Sequence, residues 1–191
     1  MRFDAVVFDF DGTLVDSAAA KRNAFFTIFP ADPAYAAVVE AVLDDDPDGS
    51  RYKVIPRMLA EMRARGLPVA TDAASATARI AAYADAAVAA VEACPELPGA
   101  GATLQRLAPA CRLYVASNTP HDDLLKLLDG RGWRRHLAAA FGYPHDKVET
   151  VAAILRETGL AATRLAVVGD GVSDRRAAEA NGCTFFAIRA P

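Results

Sequence analysis

Beyond residue 110 the chain alternates short apolar runs with helical patterns, and that alternation constrains its fold more than any other feature. The runs "CRLYVA" (111–116), "RLAVVG" (164–169) and "CTFFAI" (183–188) are rich in β-branched and aromatic residues, as buried strands are. Between them lie "HDDLLKLL" after Pro120, "KVETVAAILRETG" ending at Gly159 and "SDRRAAEANG" ending at Gly182, with glycines where helices stop. Strand and helix in strict alternation predict parallel pairing through right-handed crossovers. A further strand is predicted over 3–8, and a weaker one near 139–142. The expected core is an α/β, Rossmann-like parallel sheet.

Residues 18–94 follow another pattern. They are alanine-rich and hold four helical runs ("AAAKRNAFFTIF", "AYAAVVEAVL", "YKVIPRMLAEMRAR" and "DAASATARIAAYADAAVAAVEA") separated by proline-rich or acidic breaks, with no strand among them. "AFFTIF" reads as core of this region. "CPELPGA" (94–100) carries the prolines and glycine expected where the chain returns to the sheet. The predicted organisation is an α/β core from 1–17 and 95–191, interrupted by an α-helical cap domain over 18–94, with substrate entering between the two.

The 191 residues, 53% hydrophobic and 24% charged, suit an ordinary globular protein with a sizeable core. A formal net charge of −3 gives no reason to expect nucleic acid or an anionic membrane as partner. "GRGWRRH" (130–136) is read as Trp133 packing with arginines at a helix end rather than a nucleic-acid patch. No apolar stretch approaches the ~20 residues of a membrane span, so a cytoplasmic protein, monomer or homodimer, is expected. Cys94, Cys111 and Cys183 are odd in number and far apart, which argues against a disulfide framework or a zinc site; they are expected to be small buried apolar residues.

Each predicted strand ends in polar residues. The first is followed by Asp9 and Asp11 in "VVFDFDGTLVDS", the second by Ser117 and Asn118 in "VASNTP", and the third by Asp170 and Asp174 in "VVGDGVSD". In an open parallel sheet the crevice lies beyond the carboxyl ends of the strands, so these groups converge if the strands are neighbours. Clustered carboxylates repel unless a cation neutralises them, and oxygen donors without histidine or cysteine suit a hard ion, most simply Mg²⁺. A carboxylate oxygen can then attack phosphorus, giving an aspartyl phosphate that water cleaves. Asp9, fixed at the strand end, is placed for the attack. Asp11, two residues on, can protonate a leaving alcohol and then activate water. Gly12 permits a sharp turn, Thr13 can hydrogen-bond it, and Ser117 with neighbouring N–H groups supplies donors at the start of a helix. Among only four lysines (Lys21, Lys53, Lys126 and Lys147), Lys147 begins a helix and can reach the crevice, whereas Lys126 faces solvent. Such chemistry needs no imidazole, which leaves His121 and His145 incidental.

D-x-D-G-T matches by chance in a chain of this length at a rate on the order of 10⁻³. Together, "DFDGTLVDS", "SN", Lys147, "GDGVSD" and the closing "AAEANGC" resemble the signature motifs of the haloacid dehalogenase superfamily, in particular its phosphoglycolate-phosphatase-like members with a helical cap. The resemblance spans nearly the whole chain. It implies Asp9 as nucleophile, Asp11 as acid/base, Ser117 as phosphate ligand and Lys147 neutralising the transferring group. It also implies Mg²⁺ on Asp9, the Asp11 carbonyl and Asp170, with Asp174 orienting metal-bound water. The presence of Asp11 points to phosphate esters rather than carbon–halogen bonds or phosphonates. The chain departs from the family in reading "HDKVET" where Lys-Pro is common, and in its short stretch from 141 to 147.

The expected activity is Mg²⁺-dependent hydrolysis of a small phosphorylated metabolite. A phosphosugar mutase is the nearest alternative; a non-catalytic phosphate-binding or regulatory module, or a receiver-like domain, is the alternative of another class. Asn118 and, in the insertion, Arg51 and Lys53 are candidate substrate ligands, with Arg57 beside them; a solvated helix face is the simpler account of the three basic residues.

Overall fold

The computed structural model describes residues 3–46 and 49–188. They divide into two compact units, Met1–Ser17 with Cys94–Pro191, and Ala18–Ala93. Cys94 therefore belongs with the α/β unit rather than with the helical insertion.

Among the described residues the first unit contains five strands: β1 (Ala5–Phe8), β2 (Arg112–Pro120), β3 (Ala139–Tyr143), β4 (Leu165–Gly169) and β5 (Thr184–Ala187). They form one parallel sheet in the order β3-β2-β1-β4-β5. Every residue of β1 is buried, which explains its unbroken apolar sequence: a central parallel strand has no solvent face. Phe8 pairs with Val115 on one side and Val168 on the other, so β1 and β4 end within a residue of each other while β2 runs on past them. From β1 the chain proceeds outward through β2 and β3, then crosses to β4; the direction of winding reverses beside β1, where α/β sheets open a crevice. Ala5, Val7, Tyr114, Ala116, Leu165 and Val167 share a core with Val151 and Ile154 of helix α7 (Lys147–Thr158) and Ala177 and Ala178 of α8 (Val172–Ala180).

The α/β unit's helices are α5 (Ala100–Leu107), α6 (His121–Gly130), α7 (Lys147–Thr158) and α8 (Val172–Ala180). Helix α7 has both its ends specified locally. Asp146 accepts from the N–H groups of Val148 and Glu149, and Gly159 closes the helix in the left-handed region (φ 66°).

The second unit is all helical: α1 (Ala18–Thr27), α2 (Pro33–Asp45), α3 (Arg51–Ala64) and α4 (Ala73–Glu92). It has its own core, which includes Val38, Val42, Val54, Met58 and Met62 together with a stacked Phe25–Tyr83 pair, centroids 4.0 Å apart. Phe25, Ile28 and Phe29 of "AFFTIF" lie in it. Asp32 and Asp72 cap α2 and α4, accepting from Ala34 and Ser75.

Two expectations need correction. The second strand does not stop at Ala116 but runs to Pro120, so Ser117 lies inside a strand and α6 starts four residues later. The three cysteines are half-buried rather than enclosed. No helix among the described residues is long and apolar enough to cross a membrane.

Candidate active site

Asp9 is the first residue beyond β1. Its N–H still donates to the Val168 carbonyl (2.9 Å), so the backbone beneath its side chain is held by the sheet, and the residue is buried. The chain then turns: the Leu14 and Val15 N–H groups both donate to the Phe10 carbonyl, and Gly12 N–H donates to the Val15 carbonyl. Gly12 takes φ 72°, and a Cβ there would overlap the Asp170 carboxylate. Glycine is thus required twice over, for conformation and for space. At the end of β4, a Cβ on Gly169 would likewise overlap the Asp174 side chain. Thr13, expected to bond the turn, is buried with its hydroxyl unpartnered.

Asp9, Asp170 and Asp174 each place a carboxylate oxygen within 4.8 Å of the others. Lys147, in the first turn of α7, points into this cluster. Its Nζ lies 2.9 Å from Asp9 Oδ1 and 2.7 Å from Asp174 Oδ1, and the side chain is only 6% exposed. Asp174 Oδ2 accepts from Gly171 N–H at 3.1 Å. Lys126 is 69% exposed and 3.7 Å from Asp123, out on its own helix.

Asp11 is held apart from the triad by hydroxyls. Ser17 Oγ donates to its Oδ1 at 2.7 Å, while Thr119 Oγ1 at 2.8 Å and Ser117 Oγ at 3.3 Å donate to its Oδ2. Alternation along β2 puts Ser117 and Thr119 on one buried face and leaves Asn118 exposed on the other. Ser17 and Thr119 escaped the sequence reading, although both stand in motifs singled out there. The signal was their hydroxyl chemistry beside "DFDG" and "SN", but only the tertiary fold brings them to one carboxylate.

The electrostatics follow from burial. Loss of water pushes the Asp9 carboxyl up from 3.8 to about 7; Asp174 and Asp11 add to the rise and Lys147 opposes it. Burial also raises Asp170. For Lys147, burial favours the neutral amine, but Asp9 and Asp174 outweigh it and lift the group above its ordinary value. One cation facing three carboxylates leaves an excess of negative charge, and the donors are all oxygen. Such a set fits a hard divalent ion and lacks the imidazole or thiolate that a softer metal would prefer.

The basic residues of the insertion have partners inside their own unit. Lys53 pairs with Asp46 (2.8 Å), Arg57 with Asp45 (2.7 Å), and the Arg51 guanidinium lies 4.8 Å from the Tyr83 ring centroid. The acidic break preceding them falls partly outside the described residues, at 47–48. Trp133 is buried, with the Arg131 guanidinium 5.5 Å from its ring and Phe10 edge-on at 6.5 Å. His121 and His145 stack edge-to-face at 5.6 Å, and His121 Nδ1 accepts from Gly142 N–H.

Several solved structures share the fold at low sequence identity. A Haemophilus somnus protein assigned as a phosphoglycolate phosphatase aligns with a TM-score of 0.77 and 18% identity, covering 100% of this chain and 87% of its own. YfnB of Bacillus subtilis, assigned as a HAD-hydrolase and solved bound to magnesium, aligns with a TM-score of 0.75 and 15% identity over 98% and 87%. A Thermotoga maritima protein assigned as a β-phosphoglucomutase gives 0.74 and 16% over 100% and 87%. No curated protein sequence matches the chain. The haloacid dehalogenase-like hydrolase model matches residues 3–182, which takes in both units and every residue of the carboxylate cluster. The chain belongs to the haloacid dehalogenase-like hydrolase family.

Proposed function

We propose that the protein is a Mg²⁺-dependent phosphatase that hydrolyses a small phosphorylated metabolite through an aspartyl phosphate on Asp9. The observation that carries this reading is the buried contact of Lys147 with Asp9 inside a three-carboxylate cluster. A structural ion pair needs one acid, not three, and a buried charge excess is tolerated where a ligand completes it.

Asp9, Asp170, the Asp11 carbonyl and Asp174 would hold Mg²⁺, which supplies charge to offset the carboxylates and the incoming phosphate. The Asp9 carboxylate attacks phosphorus, the ester P–O bond breaks, and Asp11 gives its proton to the departing alkoxide. Water then loses a proton to Asp11 as its oxygen attacks phosphorus; the P–O bond to Asp9 breaks, returning the carboxylate and releasing inorganic phosphate. Lys147 compensates the negative charge that gathers on the equatorial oxygens, and Ser117 donates to one of them. Before the first step Asp11 must carry a proton, and Ser117, which lies 3.3 Å from Asp11 Oδ2, turns from it toward the phosphate. The helical unit is the cap in this reading.

The test is phosphate release from a panel of phosphorylated metabolites with Mg²⁺ present. Asp9→Asn is expected to lower release at least 10³-fold with its circular dichroism spectrum retained. Undiminished turnover would remove Asp9 as nucleophile, and isomerised sugar phosphate without phosphate release would make the enzyme a mutase.

A further inference from the structure

At the amino ends of β1, β2 and β3, the opposite end of the sheet from the carboxylate cluster, lies an open depression of about 500 Å³. Its walls combine some apolar side chains, Pro109, Leu137 and Ala138 among them, with Arg112, Arg135 and His136. Asp4, the one acid lining it among the described residues, is already engaged: Arg164 grips it with two hydrogen bonds of 2.7 Å. Arg112 has no carboxylate partner among the described residues. Arg135 has none either, and its Nε donates to His136 Nε2 at 3.2 Å. In a protein with net charge −3, two guanidinium groups with no carboxylate partner among the described residues thus share one concave surface.

We propose that this depression is a second binding site, for a small organic anion with a phosphate or carboxylate head and an apolar body. Guanidinium groups match such heads bidentately and are weakly hydrated, so little is lost when an anion displaces their water. The volume falls within the range of small-molecule sites, and Pro109, Leu137 and Ala138 would face the ligand's body. The site is independent of the proposed catalysis: its lining residues precede the strands or open β2, whereas Asp9 and Asp170 follow the carboxyl ends of β1 and β4 and Ser117 lies in the carboxyl half of β2.

Phenylphosphonate, which has both features and no ester bond, serves as the probe. It is titrated into the full chain in EDTA, where the metal-free carboxylate cluster repels anions, and followed by calorimetry and by ¹H–¹⁵N spectra. Saturable one-site binding is expected, with the amides of Leu113 and Leu137 shifting. Arg112→Ala with Arg135→Ala should weaken it at least tenfold, and Lys126→Ala should leave it unchanged. Both arginines lie at the surface, so a folded double variant is expected, verified by its unshifted strand amides. Absence of saturation below 20 mM, equal affinity in the double variant, or shifts confined to residues around Asp9 would each overturn the proposal.

Discussion

Asp9 is an acid held far from its ordinary titration range by its burial. An acid whose folded-state pKa lies near 7 against an ordinary 3.8 favours its protonated form in the fold. Its contribution to stability is therefore complete below about pH 4 and is lost as the pH rises through 7. In EDTA the protein should lose stability relative to Asp9→Asn between pH 4 and 8, by at least ~1 kcal/mol, since one pKa unit corresponds to about 1.4 kcal/mol. Chemical denaturation across that range measures it, and a flat difference would contradict the assigned burial effect. Magnesium favours the ionised acid, so binding below pH 7 should release protons, seen in calorimetry as a heat that varies with buffer ionisation enthalpy. The carboxylates and Lys147 were legible in the sequence because each follows its own strand or opens its own helix. The hydroxyls around Asp11 were less so. Ser17 and Thr119 acquire their role from partners six and 108 positions away, with no local pattern to mark them.

At the scale of elements, β2 shows how tertiary satisfaction overrides turn chemistry. Ser, Asn, Thr and Pro in succession read as a break, yet 117–120 remain extended, with Pro120 pairing with Tyr143 after a register shift. Burying two hydroxyls there costs little because Asp11 accepts from both. The β1–α1 turn is the opposite case, where "DG" indicated the geometry correctly and only the reason for glycine was incomplete. Conformation accounts for part of it, but Asp170 occupies the space a methyl group would need. Gly12→Ala should therefore cost roughly 1–3 kcal/mol of stability and weaken Mg²⁺ binding at least tenfold by displacing Asp170, measured by denaturation and calorimetry. Equal metal affinity would show that the carboxylate tolerates the shift.

For the whole molecule, the strand–helix alternation made the parallel sheet legible, and the absence of strand patterns over 18–94 marked the insertion. The sheet order was not legible, because nothing in the local pattern says on which side of β1 each crossover lands. The helical unit buries its own large side chains, Met58 completely. Met58→Ala should lower that unit's stability by about 2–4 kcal/mol, and hydrogen exchange should speed up at Val54 and Val42 while the amides of β1 stay protected. Uniform loss of protection across both units would show that they unfold as one.

The enclosure of Lys147 also makes it a chemical timer. Amine-acylating reagents require an accessible, uncharged nitrogen. They should modify Lys53 and Lys126, 72% and 69% exposed, within the first minutes, yet reach the ammonium between Asp9 and Asp174 only when the structure around it opens. Peptide mass spectrometry of that one slow adduct would therefore clock how often the carboxylate cluster comes apart, and saturating magnesium should stretch the interval.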